Sequence, residues 1–160
     1  KIAPFCEIME VVGGAEAEVA GGYLHVNGGN MPMGILFLVP KEQVFYFLDM
    51  LIGNSEGTSV AWDEMLKSAF KEVVNILAGS YLNALATFTG RTFTPSVAAM
   101  AIDLAGAILG EVLQAVGEVS DYALIVENVF IEQQRHIKGH FFLLPEPKTL
   151  EELLGMLGVL

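Results

Sequence analysis

The chain has 160 residues, the length of one compact domain, and 53% of them are hydrophobic against 17% charged, a balance that excludes intrinsic disorder. With 8 Lys and Arg against 19 Asp and Glu, the formal charge is −11, which offers little to a nucleic-acid backbone or an anionic membrane surface. The single cysteine, Cys6, cannot close an intramolecular disulfide and has no Cys or His neighbour at zinc-ligand spacing, so the expected compartment is a reducing cytoplasm.

Taken in chain order, the first long stretch without Asp, Glu, Lys or Arg runs from Val19 to Pro40. Gly21, Gly22, Asn27, Gly28, Gly29, Asn30 and Pro32 interrupt it, so no membrane-spanning helix is expected despite a mean hydropathy of +0.54. Alternation in Tyr23-Leu-His-Val predicts a strand, and the apolar run Gly34-Ile-Leu-Phe-Leu-Val before Pro40 predicts a second, buried one. Pro40 then starts a helix of about a dozen residues that ends near Gly53. Asn54-Ser-Glu-Gly-Thr-Ser59 reads as a turn-rich linker.

From about Ala61 to Thr87 there is no proline and one glycine, with Leu66, Phe70, Val73, Val74, Leu77, Tyr81 and Leu85 at helical spacing. This is a long amphipathic helix. A short extended piece, Arg91-Thr-Phe-Thr, leads to Pro95-Ser96, and a second helix is expected from about Ala98 to Val116. Asn128-Val-Phe-Ile predicts another strand, Gly139-His-Phe-Phe-Leu-Leu before Pro145 a buried one, and Pro145 a closing helix that ends near Gly158.

The strand-strand-helix unit thus occurs twice. Gly34 to Pro40 falls on Gly139 to Pro145 at a gapless offset of 105, which also aligns Leu24 with Val129, Leu48 with Leu153 and Gly53 with Gly158. In that register Lys1 falls on Gly106, so the first copy lacks the opening helix of the second. The expectation is a single α+β domain over 1–160 with pseudo-twofold symmetry, an antiparallel-rich sheet packed by long helices. Residues 1–53 form a truncated first half, and 54–160 a second half that carries the long helix.

That helix bears a polar row. Ser68, Glu72, Asn75, Gly79 and Asn83 are spaced by four, three, four and four residues and share one face, away from the apolar stripe. A carboxylate and a carboxamide one turn apart can act together: the acid pairs with a partner's cation while the amide holds a water. Small Ser68 and Gly79 would let another backbone approach.

Glu72-Val-Val-Asn75-Ile-Leu-Ala-Gly79-Ser-Tyr-Leu-Asn83, followed by Thr89-Gly90 and Pro95-Ser96, resembles the second active-site region of the CheC-type chemotaxis phosphatases, the family of CheC, CheX and FliY. The family signature is Asp or Ser, three residues, Glu, two residues, Asn, and a proline after a further twenty-two. Ser68, Glu72 and Asn75 match it. At the proline position this chain has Ala98, and the nearest proline is Pro95. The departure bears on a helix-to-helix turn more than on the chemistry. The resemblance extends over essentially the whole chain, and Lys1-Ile-Ala-Pro-Phe resembles the stretch after the family's first Glu-x-x-Asn helix, with Pro4 answering Pro95 at an offset of 91.

The resemblance implies hydrolysis of the aspartyl phosphate on the response regulator CheY. Asn75 would position the water, Glu72 would pair with a regulator lysine, and Ser68 and Gly79 would be peripheral contacts. The regulator would supply the Mg²⁺, with no cofactor or metal on this chain. The helix segment around Asp103 resembles the one that docks the deamidase CheD, which makes Asp103 a candidate contact. Two alternatives are a non-catalytic or weakly catalytic adaptor for CheD or phosphorylated CheY, and a FliY-like part of the flagellar switch. His136 and His140 would share a strand face without a third ligand, and Met31, Met33, Met50 and Met65 read as core filler.

Overall fold

The long run from Glu18 to Pro40 folds back on itself because its glycine-rich middle cannot continue a strand. Gly28, Gly29 and Asn30 all take positive φ there, a conformation that glycine and asparagine tolerate best. The result is a hairpin of β2 (Glu18–Asn27) and β3 (Met33–Pro40), preceded by β1 (Ile2–Pro4), a 3₁₀ turn at Phe5–Glu7 and a single helical turn α1 (Ile8–Val11). The helices α2 (Lys41–Ile52) and α3 (Glu64–Thr89) follow, then β4 (Thr94–Pro95), β5 (Ala99–Leu104), α4 (Ala105–Val116), β6 (Tyr122–Glu132), β7 (Arg135–Pro145) and α5 (Pro147–Met156). This computed structural model describes residues 1–55, 59, 61–116, 120–132 and 135–159, with Glu132 described by its backbone only. The expected linker falls partly outside them; at its far end buried Asp49 of α2 accepts hydrogen bonds from the backbone N–H and the hydroxyl of Ser59.

The strands form one sheet in the order β1-β6-β7-β3-β2, with β4 and β5 both on the outer edge of β2 and every pairing antiparallel. Side chains alternate across it. One face, with Leu24, Val26, Ile35, Phe37, Phe141 and Leu143, is covered by α2, α3 and Leu153 of α5. The opposite face, with Val19, Leu36, Leu38, Ile125, Phe142 and Leu144, is covered by α1 and α4. Among the described residues no helix is long and apolar enough to cross a membrane.

The architecture is the expected α+β arrangement, and it repeats about the β3–β7 pair: β1 flanks β6 as β5 flanks β2. The gapless offset of 105, however, does not survive in three dimensions. It equates Phe37 with Phe142 and Leu36 with Phe141, residues on opposite faces of the sheet. An offset one residue longer keeps every face. Ile35 then matches Phe141, Phe37 matches Leu143 and Leu36 matches Phe142, while Val44 and Phe47 of α2 match the buried Leu150 and Leu153 of α5. The cause lies at the prolines: α2 begins immediately after Pro40, whereas Glu146 intervenes between Pro145 and α5. Pro4 and Pro95 are not counterparts either, since Pro4 lies opposite Tyr122 at the start of β6 and Pro95 opposite Val26 near the end of β2.

A second correction concerns the helix expected over Ala98 to Val116. Its first third is the strand β5, and the helix α4 begins only at Ala105. The outer edge of β2 decides this. Its unpaired N–H and C=O groups take up Ala99–Leu104, and the alternation sends Met100 and Ile102 toward the α3 side while Ala101 packs on the α4 side. No helix-to-helix turn exists for the signature proline to shape. Ser96 bridges β4 and β5 by donating its N–H to the His25 carbonyl at 2.7 Å and accepting the His25 N–H on its Oγ at 2.9 Å. Pro95, lacking an N–H, sits in this outermost strand where none is needed, and Ala98 is buried in the larger cluster.

The seat of α3 on the sheet depends on a missing side chain. A Cβ on Gly22 would come 2.6 Å from Cγ2 of Val74, closer than packed carbons allow. Gly22→Ala is therefore expected to lower stability by about 1–3 kcal/mol through overpacking, read as a fall in the urea midpoint at constant m-value.

Candidate functional site

The helix α3 starts where its cap allows. Asp63 is extended, and its Oδ1 accepts the Leu66 N–H at 2.9 Å, satisfying one of the orphan donors of the first turn. At the other end Gly90 takes the left-handed conformation and donates its N–H to the Ala86 carbonyl. Between these caps Leu66, Phe70, Val73, Val74, Ala78 and Leu82 are buried against the sheet. Phe70 stacks on Phe37 and meets the edge of Trp62, with ring centroids 6.1 and 5.6 Å apart.

Further along, Tyr81 packs its ring against Phe141 at 4.4 Å and donates its hydroxyl to Oδ1 of Asn128 at 2.7 Å. The Arg91 guanidinium, just past the helix, reaches Glu152 of α5 at 2.8 Å and also donates to the Gly29 carbonyl. With Val74 seated over Gly22 of β2, α3 is thus anchored along its length to four strands and, near its end, to a neighbouring helix.

With the inner face so engaged, the outer face carries the row read from the sequence. Ser68, Glu72, Asn75 and Asn83 are all exposed, and Gly79 is half-buried. The side chains of Ser68, Glu72 and Asn75 have no hydrogen-bond or ion-pair partner among the described residues. A Cβ on Gly79 would meet nothing within 4 Å, so packing inside this chain does not explain the glycine. The arrangement is a rigid helix that presents a carboxylate and a carboxamide one turn apart, with a bare patch of backbone beside them.

Asp103 is placed differently from expectation: it lies on the strand β5, not on a helix. It is exposed, its Oδ1 accepts the Leu104 N–H at 2.7 Å, and it stands opposite Val19, on the sheet face away from α3. The chain therefore does not bring Asp103 together with Glu72 and Asn75.

A sequence model of the CheC-like family matches residues 65–97, the segment from the second residue of α3 to the brink of β5. The CheY-P phosphatase CheC of Bacillus subtilis (strain 168) is 35% identical over 162 aligned positions, which cover 99% of this chain and 77% of that protein. The chain belongs to the CheC-like family. Two solved structures share its fold: FliY of Thermotoga maritima, with a TM-score of 0.68 at 16% identity over 98% of this chain and 77% of that one, and the CheX-CheY-BeF₃-Mg²⁺ complex from Borrelia burgdorferi, with a TM-score of 0.54 at 13% identity over 88% and 91%. The match of the CheC-like model to 65–97 takes in the helix that carries Ser68, Glu72 and Asn75, and it leaves β5 and Asp103 outside.

Of the two histidines of β7, His140 has a structural partner. His136 and His140 share the face of the sheet away from α3, and His140 Nε2 lies 3.4 Å from Oε2 of Glu127, its cross-strand mate. Among the described residues no three His, Cys, Asp or Glu side chains come together in a way that could hold a metal. Burial pushes the His140 pKa below the ordinary 6.5 and outweighs the upward pull of Glu127. As pH falls through 6.5, the unfolded chain takes up this proton before the folded one does. The His140 part of the stability is therefore full above 6.5 and declines below it, down to the depressed folded value. Replacing His140 with Gln is expected to flatten the fall of the urea midpoint between pH 7.5 and 5.5 relative to the parent, and equal slopes would contradict this assignment.

Proposed function

We propose that this chain hydrolyses the aspartyl phosphate of a CheY-type response regulator on the outer face of α3. The observation that carries the proposal is the pair Glu72 and Asn75, exposed and unpartnered on a helix whose other side is locked to the sheet, inside the segment that the CheC-like model matches. The 35% identity to a CheY-P phosphatase supports the same reading.

Aspartyl-phosphate hydrolysis needs an in-line water and neutralisation of the charge on the equatorial oxygens, with little covalent chemistry from the protein. The Asn75 carboxamide can accept a hydrogen bond from a water and donate one to a phosphoryl oxygen, which aims the water's lone pair at phosphorus. Glu72, one turn earlier, pairs with a lysine of the regulator and sets the register of the complex. Gly79 lets the regulator's backbone approach the helix, and Ser68 is a peripheral contact. The Mg²⁺ in this scheme is carried by the regulator. In this scheme no group of this chain acts as nucleophile or metal ligand.

A second reading has its own observation. Asp103 is exposed on the side of the sheet away from α3, so a CheD-type partner could bind there while α3 is occupied. In that reading Asp103→Arg abolishes CheD binding and Asn75→Ala leaves it intact, and equal binding by both variants would remove Asp103 from the contact.

The main proposal is tested by the rate of phosphate loss from a Mg²⁺-loaded, phosphorylated regulator with and without this protein. The Asn75→Ala variant is expected to lose about a hundredfold or more of the acceleration, since it removes the group that orients the water. Glu72→Ala is expected to act mainly on KM, raising it about tenfold, the equivalent of about 1.4 kcal/mol of docking energy. No acceleration by the parent protein would overturn the proposal.

A further inference from the structure

Two large apolar side chains stand on the outer face of α3 outside both core clusters of the described residues. Met65 is 62% and Ile76 is 59% exposed, and neither belongs to the two core clusters or packs against them. At 100° per residue they project within about 20° of each other, roughly 16 Å apart along the helix. Glu72 lies between them on nearly the same line, with Ser68, Asn75 and Gly79 along one side. Single exposed apolar residues are ordinary on a surface, but two that bracket an unpartnered carboxylate on one helical line form a patch with a centre.

We infer that Met65 and Ile76 are the apolar anchors by which this chain grips the phosphorylated response regulator, one on each side of the ion pair made by Glu72. The inference rests on the phosphatase reading and adds the contact surface that reading lacks. A partner that pairs with Glu72 meets Ile76, its neighbour one turn further along the same face, and one that lies along the helix past Ser68 covers Met65 as well. Covering them removes apolar surface from water and places a dry rim around the Glu72–lysine pair, where the attraction is stronger than in bulk solvent. The occupant is a regulator because Glu72 is the one carboxylate on this line between the two anchors, which suits a partner that brings a lysine and Mg²⁺, and because the same fold is found with CheY in the B. burgdorferi complex. Met65, read from sequence as core filler, has its place on this surface instead.

The division of labour sets the test. Affinity is measured for a regulator loaded with BeF₃⁻ and Mg²⁺, which binds without turning over, and KM and kcat are measured separately for hydrolysis. The double variant Met65→Ser/Ile76→Ser is expected to weaken binding and raise KM by about tenfold or more while kcat stays within twofold of the parent. The Ile76→Leu variant, which keeps the apolar volume, is expected to restore affinity at that position. Ile131→Ser, a substitution of a side chain 67% exposed on β6 on the opposite face of the sheet, is the surface control and should change neither quantity. If the double variant binds within twofold of the parent while Asn75→Ala still abolishes hydrolysis, the anchors are wrong and the phosphatase reading stands. If the parent neither binds nor hydrolyses, both fall together.

Discussion

The close approach of α3 to the sheet governs most of what this molecule can do. Val74 enters the space that a side chain on Gly22 would fill, and the Phe37 ring, which stacks on Phe70, occupies the space above Gly139. Because the strands are bare at these two points, a helix of 26 residues lies against them along its inner stripe instead of being held off by side chains. A free helix exchanges conformers and frays. One capped by Asp63 and Gly90, and tied to β6 by Tyr81, presents its outer side chains in fixed order. The preorganisation of Glu72 and Asn75 is thus a property of the buried face of the helix, opposite to them.

The sheet separates two sets of contacts. On one side lie α2, α3 and α5 with the larger core, and on the other α1 and α4 with the smaller one. Glu72, Asn75, Met65 and Ile76 belong to the first side, Asp103 and the His140–Glu127 pair to the second. Surfaces so divided can be engaged independently, and the strands of the sheet, β2, β3, β6 and β7 among them, are what the two cores share.

Charge is distributed to match. The chain has a formal charge of −11, yet the outer line of α3 holds a single carboxylate between two apolar residues. The acidic surface repels nucleic acid and attracts a partner with exposed lysine at long range. In the proposed complex, contact on α3 is left to one ion pair, one carboxamide and apolar area, a combination that distinguishes docking from chemistry.

The sequence by itself determined the elements whose signals are local. The 3.6-residue stripe of α3, its polar row, the strand-turn-strand at Gly28 and Gly29, the helix after Pro40 and the α+β class were all legible, because periodicity, capping and turn residues act within a few positions of each other. The family resemblance carried by Ser68, Glu72 and Asn75 was legible for the same reason. What only the tertiary structure decided was the identity of neighbours. Ala99 to Leu104 read as helix, but the open edge of β2 made it a strand and moved Asp103 with it. The repeat could be aligned by eye at 105, but which face a strand residue takes is set by its pairing, and Phe, Leu and Ile on both faces of a doubly covered sheet hide a one-residue error. Met65 read as core filler until the sheet claimed the inner side of α3 and left it, with Ile76, outside.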